Sequence, residues 1–373
     1  MKKTANYLIV TVFLGFLAEA FALRLCLPSR EFSERENRYL QQHPAFSFSS
    51  LFSGDYTSRF ESYTTDQFPF RDAWTTIKAR CELLTGKREN NGVYYCGDGA
   101  LISRYDAPDE DFLRENAGFI HALADRVDVP VYFALIPGAA EVQRDRLPDN
   151  APTDSQREVI DLAYTESGAH NIDMLTALSA HSDEYIFYRT DHHWTTLGAF
   201  YGYNALRGML ALPPADIDSY PRETVSESFY GTTYSSSGFS WVAPDCMETF
   251  VPDTDGAAVT NYNTGSPVSA PLYDESFLSV KDKYAYFLGG NSPRISIQTQ
   301  QADKPRICII RDSYADCFVP FLLRDFSQID LLDLRYFKDS VSSYIRDGGF
   351  DMVLVMYSVS NFSTDNNLFV LGT

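Results

Sequence analysis

The chain has 373 residues with 31 Lys and Arg against 50 Asp and Glu, a formal net charge of -19. That balance argues against a nucleic-acid partner, because phosphate binding needs a basic face and no Lys/Arg cluster is present. The length suits one elaborated α/β domain or two smaller ones, and six scattered cysteines without a Cys-x-x-Cys give no zinc ribbon, redox motif or disulfide scaffold, Cys81 to Cys96 being the one candidate bridge.

Lys2 and Lys3 precede an apolar run from about Tyr7 to Ala18, with Ala18-Glu19-Ala20 and Ala20-Phe21-Ala22 as small-x-small cleavage patterns. Residues 1–27 therefore read as a signal peptide or N-terminal membrane anchor. Both fates stay open, because spanning takes roughly 20 apolar residues and Glu19 and Arg24 interrupt the run. Leu25 stands where a lipoprotein signal ahead of Cys26 would need a small residue. No second stretch is long enough to span. The remainder is expected to be extracytoplasmic, secreted or membrane-anchored, touching the membrane only through the N-terminal segment.

Residues 28–105 read as an N-terminal extension packed on the core. Phe60, Tyr63 and Phe68 could staple a juxtamembrane helix, and Val93-Tyr94-Tyr95 and Leu101-Ile102 flank a Gly97-Asp98-Gly99 turn. In residues 106–212 helical and strand patterns alternate. Helices are expected over Asp111–Arg126, Ser155–Tyr164 and Leu197–Leu210, and strands over Val131–Ile136, near Ile172 and over Tyr185–Tyr188. Residues 213–304, rich in Ser, Thr, Gly, Tyr and Pro, break the alternation and read as an antiparallel β-rich insertion. The alternation resumes in residues 305–373: strands Arg306–Ile310, Ile329–Leu332 and Met352–Met356, helices Tyr314–Arg324 and Ser340–Arg346. Helices alternating with buried strands imply a doubly wound parallel sheet.

Two stretches carry chemistry. Ser313 follows a predicted parallel strand at its carboxyl end, where open α/β sheets place their sites, and opens a helical segment whose N–H groups can face an oxyanion. Asp312-Ser313 can equally be an N-cap. Arg189-Thr190-Asp191-His192-His193-Trp194-Thr195 supplies the missing partners: a serine hydroxyl needs an imidazole to take its proton, and the imidazole needs a carboxylate on its other nitrogen. Asp191 and His193 can meet locally, leaving the second ring nitrogen for Ser313. His192 is an alternative base, and Asp191, His192 and His193 could instead hold a metal, although no HExxH or fourth ligand stands out. No metal or cofactor is therefore expected. Trp194 is either a core aromatic or, in the reading preferred here, a wall of the site. Asn361, after the last strand, is an oxyanion donor or a turn residue, with Asn291 a weaker candidate. Tyr314, Arg335 and Arg189 complete the oxyanion or substrate-binding candidates, the arginines either binding an acidic substrate or pairing with Asp333 and Asp191.

The tetrapeptide Asp191-His192-His193-Trp194, with Glu36-Asn37-Arg38, Asp66-Gln67-Phe68-Pro69-Phe70-Arg71, Asn91-Gly92-Val93-Tyr94 and Asp312-Ser313-Tyr314, resembles the DHHW protein family over nearly the whole chain. That family is similar to the bacterial alginate O-acetyltransferases, SGNH-hydrolase-like proteins that are periplasmic or membrane-anchored. The resemblance implies an SGNH-hydrolase-like fold, Ser313 as nucleophile and Asp191, His193 and Trp194 as motif residues, with His192 at the variable position. It departs from ordinary SGNH hydrolases in block order, in Asp-x-His spacing, and in having Arg311 where a glycine would stand.

The expected function is O-acyl transfer, most simply O-acetyl, or esterase action on a cell-surface or exported polysaccharide. A membrane acyl-donor protein is the further partner this allows. Two other classes stay open: a non-catalytic glycan-binding or exopolysaccharide-assembly protein with the same fold, and a metal-dependent hydrolase.

Overall fold

The computed structural model describes residues 2–251, 256–263 and 265–372. Residues 1, 252–255, 264 and 373, which belong to the N-terminal segment, the β-rich stretch and the C-terminal stretch as read above, lie outside the described residues. The chain divides into two compact units, Met1–Asn91 with Ser235–Ser240, and Gly92–Tyr234 with Trp241–Thr373.

The first unit begins with a helix over Lys2–Cys26. It runs on because the segment lacks proline, and it stops before Pro28, whose ring disfavours helical geometry in the preceding residue. Its Asn6–Cys26 portion, 21 residues with mean hydropathy 2.0 and no side chain buried within the chain, is long and apolar enough to cross a membrane. Beyond it, the polar stretches around Glu36-Asn37-Arg38 and Asp66–Arg71 find a physical reason in one ion-pair network. Arg38 clasps the buried Asp66 through two hydrogen bonds (3.0 and 2.5 Å), and Glu36 joins Arg38 at 2.8 Å and also Arg71. The hydrogen bond from Arg38, followed by opposing burial and a bond from the Gln41 N–H, holds the Asp66 carboxyl below its ordinary range. Asn90 reaches the Ser237 carbonyl at 2.6 Å and so fastens the Ser235–Ser240 segment to this unit.

The second unit is built on eight strands: β1 (Val131–Ile136), β2 (His170–Ile172), β3 (Ala258–Asn261), β4 (Val268–Ala270), β5 (Arg294–Gln298), β6 (Arg306–Arg311), β7 (Gln328–Leu332) and β8 (Met352–Ser358). They form one sheet in the order β4-β3-β5-β7-β6-β8-β1-β2. From β7 to β2 all pairs are parallel, whereas β5, β3 and β4 add antiparallel at the other edge. The chain is thus mixed α/β with a large, mostly parallel central sheet. Ile307–Ile310 and Val353–Met356 are fully buried, the continuous apolar runs that parallel strands covered on both faces require.

Helices α1 (Glu110–Arg126), α2 (Gln156–Ser167), α3 (Thr196–Met209) and α4 (Val341–Gly348) fall where periodicity predicts them. Ser155, Thr195 and Ser340 cap the last three by accepting a first-turn N–H. Three strands of the 213–304 stretch extend the central sheet, while Glu223–Phe229 pairs separately with Asp245–Thr249. All six cysteines are thiols, not disulfides; Cys96 is buried in a small cluster with Tyr94 and Ile102 and is not bridged to Cys81.

Two expectations change. Tyr185–Tyr188 is not a ladder strand but one arm of a tight loop closed on itself by Tyr188 N–H to His193 O (3.2 Å) and Thr195 N–H to Ile186 O (2.8 Å), with a single bridge between Phe187 and Trp194. Tyr314–Arg324 is not a continuous helix. It forms 3₁₀ turns at Ser313–Ala315 and Val319–Arg324, because Pro320 supplies no N–H to an α-helical ladder.

Candidate active site

The His-rich loop is held from below by a residue without a recognisable motif, Asp245. It is fully buried and accepts from the Thr190 N–H (2.7 Å), the Thr190 hydroxyl (2.5 Å), the Arg189 N–H (3.0 Å) and the Tyr185 hydroxyl. These donors fix the backbone just before Asp191. Just after it, Thr195 caps α3, and a Cβ on Gly198 would stand 2.4 Å from the Ile186 carbonyl oxygen, so the helix can approach the loop only with glycine there.

The serine turn is fixed with equal care. Alignment of Ile310 with Val355 and Arg311 with Met356 brings β6 and β8 to the same sheet edge, where Asp312-Ser313 and Ser358–Asn361 emerge. The buried Asp312 carboxylate accepts from Tyr314 N–H (3.0 Å), Ser358 N–H (2.8 Å), Ser358 Oγ–H (2.8 Å) and Asn361 Nδ2–H (2.7 Å). The N-cap role is therefore real, and it coexists with an outward-facing Ser313.

These two assemblies meet. His193 Nδ1 lies 2.5 Å from Asp191 Oδ1, and His193 Nε2 lies 2.7 Å from Ser313 Oγ. An ionised carboxylate only accepts, so Nδ1 carries the proton and Nε2 is left to receive the one from Ser313. Asp191 also accepts the His193 N–H (2.9 Å), the Thr232 N–H (2.7 Å) and the Thr232 hydroxyl (3.1 Å). Burial works to raise this carboxyl, but the adjacent imidazoles and these hydrogen bonds outweigh it and hold it well below the usual range. Tyr284 stacks on the His193 ring (3.8 Å, 10°), and its hydroxyl donates to the Ser313 carbonyl at 3.2 Å. Asp191 and His193 are each 5% exposed, so the pair sits in a low-dielectric setting that strengthens its polarity.

The remaining sequence candidates are engaged by partners within the protein. Trp194, expected as a wall, is 0% exposed; its indole N–H donates to the Tyr314 carbonyl at 2.9 Å and its ring stacks on Phe318. It is a buried tie between the two loops, because an indole N–H enclosed by apolar groups needs a partner. Tyr314 is buried too, its hydroxyl donating to the His192 carbonyl. Asn361 points one amide hydrogen at Asp312. Arg335 is held by Asp333 (2.6 and 2.9 Å) and by Asn291 (3.0 Å), and Arg189 pairs with Asp245 (3.3 Å), not with Asp191. Arg311, in the glycine position, is buried and pairs with Asp316 at 2.9 Å. Asp245, Thr232 and Tyr284 were missed because they lie in the 213–304 stretch, which offers no spacing signal.

Asp191, His192 and His193 are the one group among the described residues whose ligand atoms, all within 4.8 Å of one another, could hold a metal ion. A cation there would compete for the Asp191 oxygens with His193 and Thr232. The glycine beside this cluster offers a test. A Cβ on Gly231 would lie 2.1 Å from Asp191 Oδ2. Gly231→Ala is therefore expected to push the carboxylate off its hydrogen-bond donors and to destabilise the fold by about 1–3 kcal/mol, the cost of overpacking a buried site, read as a lowered thermal midpoint in a calorimetric scan.

Comparison with known proteins shows which family and folds the chain is similar to. Residues 119–332 match the family model described as DHHW protein. A probable alginate O-acetylase, AlgJ, of Pseudomonas syringae pv. tomato is 23% identical over 248 residues, covering 63% of this chain and 59% of that protein. The chain thus spans about three fifths of the length of that curated relative. A DHHW family protein from Eubacterium siraeum superposes with a TM-score of 0.66 at 27% identity, over 76% of this chain and 95% of that one. PatB1 of Bacillus cereus, in a structure with a sulfonyl adduct, gives 0.65 at 21% identity, over 75% and 98%, a likeness of fold.

Proposed function

This chain belongs to the DHHW protein family, and on that premise we propose that it is an extracytoplasmic SGNH-like serine O-acyltransferase or esterase acting on a cell-surface or exported polysaccharide. The observation that carries the reading is the hydrogen-bonded series Asp191–His193–Ser313, with links of 2.5 and 2.7 Å, the second between positions 120 residues apart. His193 Nε2 takes the Ser313 proton as Oγ attacks the acyl carbonyl. The leaving group then departs with that proton, and Ser313 carries the acyl ester. A sugar hydroxyl, or water, next gives its proton to Nε2 and attacks the ester, which restores Ser313.

The likeness to a probable alginate O-acetylase supports acetyl as the group moved and a glycan as the acceptor. In this reading Asn361 offers its second amide hydrogen to the oxyanion while the first steadies Asp312. Tyr284, stacked on His193, limits water access to the imidazole. Tyr314 and Trp194 act by joining the two loops, and Arg189 and Arg335 serve by pairing with Asp245 and Asp333. The apolar Asn6–Cys26 helix supports an address outside the cytoplasm, with a membrane acyl-donor protein as the further partner. Residues 106–212 and 305–373 would then form a doubly wound catalytic core that the 213–304 stretch elaborates.

The test is to mix the protein with p-nitrophenyl acetate, quench it rapidly and map the peptides by mass spectrometry. An acetyl group is expected on the Ser313 peptide. Wild-type turnover no faster than that of Ser313→Ala would remove the proposal.

A further inference from the structure

The helix over Phe48–Phe52 buries none of its residues within the chain, although Phe48, Leu51 and Phe52 make up most of it. Phe48 is 71% exposed and Phe52 85%. These rings do not stand alone. Edge contacts run from Phe48 to Phe46 (5.4 Å) and on to Tyr56 (5.2 Å), Tyr56 stacks on Phe60 (5.9 Å), and Phe60 meets Tyr63 (6.0 Å). The series ends on the apolar N-terminal helix: the Arg24 guanidinium lies over the Tyr63 ring at 5.1 Å and donates to its hydroxyl. An exposed aromatic strip thus begins at the carboxyl end of the one segment among the described residues that is long and apolar enough to span a bilayer.

Charge and apolar exposure are divided the same way. Residues 1–91 hold 12 Lys and Arg against 10 Asp and Glu, and residues 92–373 hold 19 against 40. Anionic headgroups repel the second set and not the first. Among the described residues beyond the apolar helix, twelve large hydrophobic side chains are exposed between positions 27 and 91, against five in all that follows. An ordinary soluble surface scatters such residues; here they concentrate beside a membrane-length helix.

We propose that the strip from Phe46 to Tyr63 is a second membrane contact, an aromatic footing seated at the headgroup level of a phospholipid bilayer. Tyr56 and Tyr63 combine an apolar body with a polar tip, as interfacial Tyr and Trp do, Phe46, Phe48 and Phe52 add purely apolar area, and Arg24 ties the strip to the helix end through the Tyr63 hydroxyl. The footing extends membrane attachment past the N-terminal helix. It rests on that helix being embedded and is independent of the acyl-transfer chemistry.

Site-specific photocrosslinking tests it. The full chain carrying Phe52→p-benzoylphenylalanine is reconstituted into phosphatidylethanolamine and phosphatidylglycerol vesicles, irradiated and examined for adducts by mass spectrometry. Leu14→p-benzoylphenylalanine and Phe369→p-benzoylphenylalanine serve as references. Lipid adducts at position 52 are expected about tenfold above those at position 369 and of the same order as at position 14, as for a ring at the bilayer interface. Position 52 giving no more than position 369 overturns the proposal, and so does absence of lipid capture at both 14 and 52. With the exopolysaccharide added, sugar adducts replacing lipid adducts at position 52 would overturn it in favour of a saccharide surface.

Discussion

Asp191→Asn is expected to lower acyl turnover about 10⁴-fold while the protein stays folded. The carboxylate accepts on both oxygens, from the His193 ring and backbone through Oδ1 and from the Thr232 backbone and hydroxyl through Oδ2. An amide keeps one acceptor and turns two N–H groups toward donors, whichever way it rotates. Facing the imidazole, it favours the tautomer protonated on Nε2, which cannot receive the Ser313 proton. Because Asp191 is held well below the carboxylate range, its contribution is complete above an ordinary value of 3.8 and is lost only as pH falls through the depressed one. Acid loss of activity above that ordinary value therefore belongs to a group other than Asp191. Comparing kcat/KM for wild type, Asp191→Asn and Ser313→Ala, with a thermal scan of each, checks this. Asp191→Asn within tenfold of wild type would show that His193 is oriented by something else.

Asp245→Ala should be the most damaging change away from the reacting atoms. Truncation leaves the Thr190 N–H and hydroxyl, the Arg189 N–H and the Tyr185 hydroxyl without their shared acceptor, in a place where Thr190 has no exposed surface. Each buried donor left unmade costs about 1–3 kcal/mol, and relaxation recovers part of that, so a loss of about 4 kcal/mol is expected. Urea unfolding at neutral pH measures it. Asp245→Asn, which keeps one acceptor oxygen, should fall between the two. A loss below about 1 kcal/mol for the alanine variant would mean that Asp245 does not anchor the loop.

Much of the fold was legible because the central strands write their burial directly into sequence: Ile307-Cys308-Ile309-Ile310 and Val353-Leu354-Val355-Met356 admit few other readings. The Asp-His-His-Trp motif and the Asp-Ser step were legible for a chemical reason, since their residue types are costly to place without partners. The supports were not. Asp245 acts through backbone donors 55 residues away, and Tyr284 through a stacked ring, and neither leaves a periodic trace. Trp194 misled for the converse reason: a polar neighbourhood in sequence does not reveal that the loop turns its indole inward onto Phe318. Tyr185–Tyr188 has strand composition, but tight closure of its own loop took the hydrogen bonds that a ladder would have used.

The indole–carbonyl bond from Trp194 to Tyr314 joins positions 120 residues apart. Everything strung between them, the Glu223–Phe229 pairing and the antiparallel strands included, therefore hangs from two pinned ends. Lengthening a tethered excursion of that size changes its closure entropy only slowly. Insertions or deletions within the excursion are thus cheap in entropy as long as the Trp194–Tyr314 tie keeps its two ends together.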